Sequence, residues 1–212
     1  MKTYVINLPN RAERMNTFEL LNAPYLKNIQ YERFDAIDGK KITYDELKRL
    51  GYDTDSNWID PILKTRLTSG EVGCFLSHYN LWKKCIELDV PICVLEDDGI
   101  ISGNLFDDID ELLESYNYIY LGWREMEESL PTSNPRFVVP VYPYWNLAYI
   151  ITPEAAKILV NSEIEQNIIP ADEYPRMKLK DLKSVGYANN LVTPRGREHS
   201  GTDTVASNRY DY

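Results

Sequence analysis

The sequence predicts an α/β domain built around a mostly parallel central sheet, and three observations carry that expectation. Short apolar, β-branched runs alternate with segments of helical period along most of the 212 residues. The run Pro91–Leu95 is continuously apolar, as a central strand buried on both faces would be. It ends abruptly in Glu96-Asp97-Asp98-Gly99, and open α/β sheets bind ligands beyond the carboxyl ends of their strands.

Taken in order, residues 3–8 read as a buried first strand ended by Pro9. Residues 11–21 follow as a helix with Asn10 as its N-cap. Residues 29–34 form a second strand that ends in the turn 35–39, and residues 43–50 a short helix that Gly51 closes. Residues 52–68 read as a surface loop. Ser69 caps a long helix to about Leu88, with apolar positions at helical spacing. After the acidic strand end come a helix over 106–116 and a strand over 118–121. Residues 123–143, rich in Pro, Glu and Ser, read as a mobile loop. A strand over 144–151, a helix over 153–161 with Pro at its first turn, a helix over 172–182 and a strand over 184–192 complete the pattern. The main domain is therefore expected over 1–192, with an irregular tail over 193–212.

Composition narrows the function. A formal net charge of −10 disfavours nucleic acid and anionic membrane as main partners. It allows a nucleotide ligand, because a divalent metal held by acids can supply the charge that a diphosphate needs. Cys74, Cys85 and Cys93 have no metal-like spacing and read as buried thiols of a reducing compartment. No run is long enough to span a bilayer, so the expected location is cytoplasmic, or host cytoplasm for a viral chain. The sixteen Tyr read mostly as packing residues with wet hydroxyls, although aromatic rings also line sugar sites.

Five segments can carry chemistry. In PICVLEDDG, alternate residues of an extended chain face the same side, so Glu96 and Asp98 can reach one divalent ion while Asp97 points elsewhere. In TSGEVGCFLSHYNLW, Gly70 and Gly73 let a backbone or ligand approach the helix start, and His78 reads as a structural hydrogen-bonder. In YVINLPNRAER, Arg11 and Arg14 can bring guanidinium groups to a phosphate or base. In the turn 169–174, Asp172 and Glu173 are either a general base or helix-capping acids. His199, in the polar tail, becomes a metal ligand if the tail folds back.

Taken together and in order, VINLPNRAERM, FDAIDGK, LTSGEVGCFLSHYNLWKKC, VLEDD, YLGW, NLAYIITPEAAKIL and PADEY resemble glycosyltransferase family 25. That family includes lipopolysaccharide and lipooligosaccharide galactosyltransferases and the collagen galactosyltransferases. The resemblance spans roughly residues 3 to 175. It implies a GT-A fold, a single Rossmann-like nucleotide-binding domain whose Asp-x-Asp metal motif reads Glu96-Asp97-Asp98 here. It also implies Mn²⁺ or Mg²⁺, a UDP-sugar donor and inversion at the anomeric carbon. By position, Asn7, Leu8, Arg11 and Arg14 would border the nucleotide, with Gly70 beside them. Asp35, Ala36 and Asp38 would help hold base or ribose. Glu96 and Asp97 would serve the nucleotide, and Glu96, Asp98 and His199 the metal. Asp172, with Glu173 next, would be the base, and Trp145 and Asn146 would contact donor or acceptor sugar.

The leading reading is a hexosyltransferase moving galactose or glucose to a hydroxyl of a glycan, glycolipid or glycoprotein. A GT-A module that binds nucleotide-sugar or glycan without transfer is the second. A metal-dependent nucleotide-diphosphate phosphohydrolase is the third, and it would need more metal ligands than a chain with two His offers.

Overall fold

A computed structural model of the chain describes residues 1–61 and 64–196. The expected ligand His199 lies outside the described residues.

The elements run in the order β1 (Lys2–Asn7), α1 (Ala12–Leu26), β2 (Tyr31–Asp35), α2 (Tyr44–Arg49), α3 (Ser69–Leu88), β3 (Ile92–Glu96) and β4 (Gly99–Ile101). There follow α4 (Ile109–Ser115), β5 (Tyr118–Glu125), β6 (Leu130–Pro131), β7 (Phe137–Val139) and β8 (Pro143–Ile151). The described chain ends with α5 (Pro153–Leu159), α6 (Ser162–Glu165), α7 (Glu173–Met177), β9 (Ser184–Tyr187) and β10 (Val192–Pro194).

The main sheet has the order β2-β1-β3-β8-β5-β9-β7-β6. Its expected parallel character is corrected: among the described residues, β1 runs parallel to β2 and β3, and β5 to β9, while β8 is antiparallel to both of its neighbours. The hairpin β6–β7 adds two further antiparallel pairings at the edge. A long apolar run such as Pro91–Leu95 reports burial on both faces, and burial does not set the direction of the neighbouring strand. Each face of the sheet carries one core. Tyr4, Ile92, Val94, Tyr118, Tyr149 and Trp82 belong to the α3 side, and Val5, Cys93, Leu95, Ile119 and Phe18 to the α1 side. This strict alternation is the period of two expected of strands.

Local caps differ from expectation in informative ways. Thr68, not Ser69, caps α3: its hydroxyl accepts from the Glu71 N–H, and the Glu71 carboxylate accepts from the Thr68 N–H. Thr43 and Glu46 make the same reciprocal box on α2, whose following Gly51 turns at φ +86°. Asn10 does not cap α1, and the N-cap position is Arg11, without a side-chain cap. The expected mobile loop over 123–143 is also corrected. Its start continues β5, its middle forms β6 and β7, and Trp123 is buried with its Nε1–H donating to the Tyr187 carbonyl at 3.3 Å. The helix expected over 172–182 shrinks to α7, and the strand expected over 184–192 divides into β9 and β10. β10 carries regular structure to Pro194, beyond the expected start of the tail. Three buried tyrosines bond to protein groups: the Tyr118, Tyr79 and Tyr174 hydroxyls donate to Asn146, Glu165 and the Asn167 carbonyl.

One backbone contact fixes the start of α3 against the loop after β2. A Cβ on Gly73 would stand 2.5 Å from both the Gly39 nitrogen and the Ile37 oxygen, so α3 and the loop after β2 touch backbone to backbone. Ser77 seals that contact, accepting from the Ile37 N–H at 2.9 Å and donating to the Gly73 carbonyl. Gly73→Ala is expected to cost about 1–3 kcal/mol, because the obstacles are backbone atoms. Urea denaturation with the midpoint of the wild type would show that the loop yields freely.

Candidate functional site

β1, β2 and β3 are mutually parallel around β1, so their carboxyl ends open on the same edge. A cavity of about 290 Å³ lies there. Most of the residues expected to bind cofactor line it: Asn7, Leu8, Arg11 and Arg14 after β1, Ala36 and Asp38 after β2, Gly70 on α3, and Glu96 and Asp97 after β3. Asp35 does not line it. Asp35 is exposed at the end of β2 and pairs with Arg33 at 3.4 Å.

A second cavity, of about 540 Å³, opens beside the first. Trp145, Asn146, Asp172 and Glu173 line it, and Cys74, His78, Glu96 and Asp98 line both. The antiparallel setting of β8 creates this neighbourhood. Leu95 pairs with Ala148, so the start of β8 runs past the acidic end of β3. Trp145 is held there at φ +71°, a left-handed conformation that is costly for a bulky residue. Its N–H donates to Asp172 at 3.3 Å, and the Arg124 guanidinium lies 5.6 Å from its ring centroid. Asn146 is fully engaged, accepting from Tyr118 and donating to the Ala171 carbonyl at 3.1 Å, which ties the turn before Asp172 to the sheet.

The three acids after β3 have different surroundings. Asp97 is a structural anchor: Arg14 Nε donates to both of its oxygens at 2.9 and 3.0 Å, Arg14 Nη2 also contacts it, and Asn7 Nδ2 donates at 2.6 Å. Asp98 is buried, and its Oδ1 has no hydrogen-bond partner. Burial first, and the Glu96 charge second, push its carboxyl up to about 7, against the pull of Arg14. Glu96 accepts from His78 Nε2 at 3.2 Å. The other ring nitrogen of His78 lies 2.9 Å from the Tyr149 hydroxyl, which itself accepts from Trp82 Nε1 at 3.0 Å. Because Tyr149 accepts from Trp82, its one proton is best directed to Nδ1, which leaves the ring proton on Nε2 facing Glu96.

Metal fit can be judged from these groups. An orphaned, buried carboxylate oxygen on Asp98 beside Glu96 is a hard-oxygen donor set of the kind that Mg²⁺ or Mn²⁺ takes. Ligand atoms of Cys74, His78 and Glu96 also lie within 4.8 Å of one another. That second set is softer, and its thiol is pushed well up by burial and by Glu96, so both the Cys74 thiol and the His78 Nε2 would have to lose a proton to ligate.

Asp172 is the other strongly perturbed acid. Burial first and then Glu173 push it up to about 7, while the Trp145 N–H opposes the shift. Glu173 is buried and accepts from Arg176 Nε at 2.8 Å, so its charge is compensated. Reasoning from sequence missed Arg124, Tyr144 and Arg195, which also line the second cavity. Nothing in their local sequence separates them from ordinary surface residues.

Residues 1–174 match the profile of glycosyltransferase family 25 (LPS biosynthesis protein). The chain belongs to that family. The human procollagen galactosyltransferase 2 is 32% identical over 183 residues, covering 81% of this chain and 29% of the relative. The mouse inactive glycosyltransferase 25 family member 3 is 33% identical over 184 residues, covering 82% and 31%. The chain thus spans about a third of the length of the curated relatives it matches. In fold it is similar to a Drosophila β-1,4-galactosyltransferase 7 variant in complex with manganese, UDP-Gal and xylobiose. That likeness has a TM-score of 0.50 at 10% identity, over 100% of this chain and 75% of the other. The expected GT-A fold and family membership therefore hold.

The perturbed acids have a consequence for stability. A carboxyl held at about 7 in the folded state but near 4 when unfolded destabilises the fold progressively as pH rises from about 4 to about 7. Asp98→Asn in metal-free buffer is therefore expected to raise the melting temperature at pH 7.5 and to change it little at pH 4.5. An equal shift at both pH values would show that Asp98 does not carry this cost.

Proposed function

We propose that this domain is a metal-dependent inverting glycosyltransferase that moves galactose or glucose from a UDP-sugar to a hydroxyl of a glycan, glycolipid or glycoprotein. The observation that carries the reading is the pair of cavities meeting at Glu96 and Asp98, with Asp172 lining the second. The first cavity suits the nucleoside and the second suits the sugar and acceptor. Mn²⁺ or Mg²⁺ held by Glu96 and Asp98 would supply neutralisation of the departing diphosphate. Names of similar proteins support the class: one is a procollagen galactosyltransferase, and a structural neighbour is described with manganese and UDP-Gal.

In this reading the chain's own residues divide the work. Arg14 and Asn7 fix Asp97, and through it the geometry of the loop that carries Asp98. His78, locked by Tyr149 and Trp82, orients Glu96. Trp145 offers an exposed ring face to a pyranose, and its N–H orients the Asp172 carboxylate. Asp172 takes the proton of the attacking hydroxyl. A base near 7 suits neutral pH, and Asp172 is preferred to Glu173 because Arg176 compensates Glu173.

A second reading, a module that binds nucleotide-sugar without transfer, is favoured by the relatives named as inactive at comparable identity. Transfer separates the two. Titration of UDP with and without Mn²⁺ is expected to show metal-dependent binding, lost in Asp98→Ala. Transfer from a UDP-hexose is expected to rise as pH rises through about 7, as Asp172 loses its proton. Asp172→Asn is expected to lose about 100- to 10,000-fold in rate with UDP affinity retained. Metal-dependent UDP binding without transfer to any offered hydroxyl would favour the module, and unchanged transfer in Asp172→Asn would exclude it as the base.

A further inference from the structure

The register of the two-stranded sheet places the backbone of Arg195 against that of Asp98. β10 pairs antiparallel with β4, with Thr193 opposite Ile100 and Pro194 opposite Gly99. The next residue, Arg195, donates its N–H to the Asp98 carbonyl at 2.7 Å. Close packing holds β10 in that position. A Cβ on Gly122 would come 2.6 Å from the Val192 oxygen, and one on Gly99 would come 2.8 Å from Val192 Cγ1. Arg195 lines the second cavity together with Glu96, Asp98 and Asp172. Its Nε and Nη1 atoms are buried and have no hydrogen-bond partner.

Buried guanidinium donors without acceptors are costly, and a guanidinium is the side chain whose fork matches phosphate oxygens. The orphaned Asp98 Oδ1 lies on the same residue whose backbone holds Arg195. A cation on the carboxylate and an anion on the guanidinium would satisfy both orphans together. We propose that Arg195 binds the diphosphate of the donor and holds the charge that develops as that group leaves. The inference rests on the nucleotide-sugar reading above and extends it to a residue beyond the family-matched residues 1–174. A carboxylate on an acceptor would present similar oxygens, but the backbone bond to Asp98 places Arg195 at the acids that both cavities share.

The test uses the full chain with Mg²⁺, Arg195→Gln and Arg195→Lys, and titrations of UDP, uridine and inorganic pyrophosphate. Loss of a charge-assisted contact is expected to weaken UDP and pyrophosphate by about 10- to 100-fold in Arg195→Gln. Uridine binding should stay unchanged, and Arg195→Lys should recover part of the loss. Undiminished UDP and pyrophosphate affinity in Arg195→Gln would overturn the inference and leave the nucleotide reading intact. Equal weakening of uridine would overturn it too, by showing a general structural role. Wild-type binding of pyrophosphate but not UDP, with the Arg195 dependence kept, would overturn the nucleotide reading and sustain the anion site. Binding of neither by the wild type would overturn both.

Discussion

The whole arrangement depends on β3 being held between a parallel and an antiparallel neighbour while three carboxylates leave its end. β1 on one side, with α1 after it, brings Asn7 and Arg14 to Asp97. β8 on the other side brings Trp145 and Asn146 alongside the same acids. Three adjacent carboxylates repel one another, and the fold compensates only one of them fully. Asp97 is neutralised by a bidentate arginine, whereas Asp98 keeps a buried oxygen without a partner. Ion pairing of the second acid offsets part of that repulsion; incomplete pairing of the third leaves a buried carboxylate oxygen unsatisfied.

Around this centre, the protein uses rigid supports of three kinds. α3 is pressed against the loop after β2 by glycine-to-glycine backbone contact, and residues of both line the first cavity. The chain Trp82–Tyr149–His78 fixes a buried imidazole against Glu96, and such a hydrogen-bonded chain orients the carboxylate. Tyr118 and Asn146 pin the turn that carries Asp172. The costly backbone of Trp145 fits the same pattern, since strain at one residue is tolerated where its surroundings over-determine it.

Identity to relatives named as galactosyltransferases and to relatives named as inactive is nearly the same, so overall similarity does not separate transfer from binding. The distinction rests on individual groups. A carboxyl pushed up to about 7 that lines the second cavity is what a general base needs and what binding alone does not.

The sequence by itself determined the α/β class, the strand that ends in Glu96-Asp97-Asp98, the long helix with its glycines, and the family. These are local signals: apolar period, turn residues and ordered motifs are written in consecutive residues. It also picked out Asp172 from the Pro-led turn that carries it and, beside the family resemblance, Trp145. It did not reveal that β8 runs antiparallel to β3, because an apolar run records burial and not direction. It did not reveal that Arg14, which lines the first cavity, also pairs with Asp97 across 83 positions of sequence. It read residues 123–143 as a loop because Pro and Glu are frequent there, although the edge of the sheet supplied the missing hydrogen bonds. Arg195 was invisible for the same reason. Its meaning comes from the register of β10 against β4, and long-range register is decided only when the strands are packed.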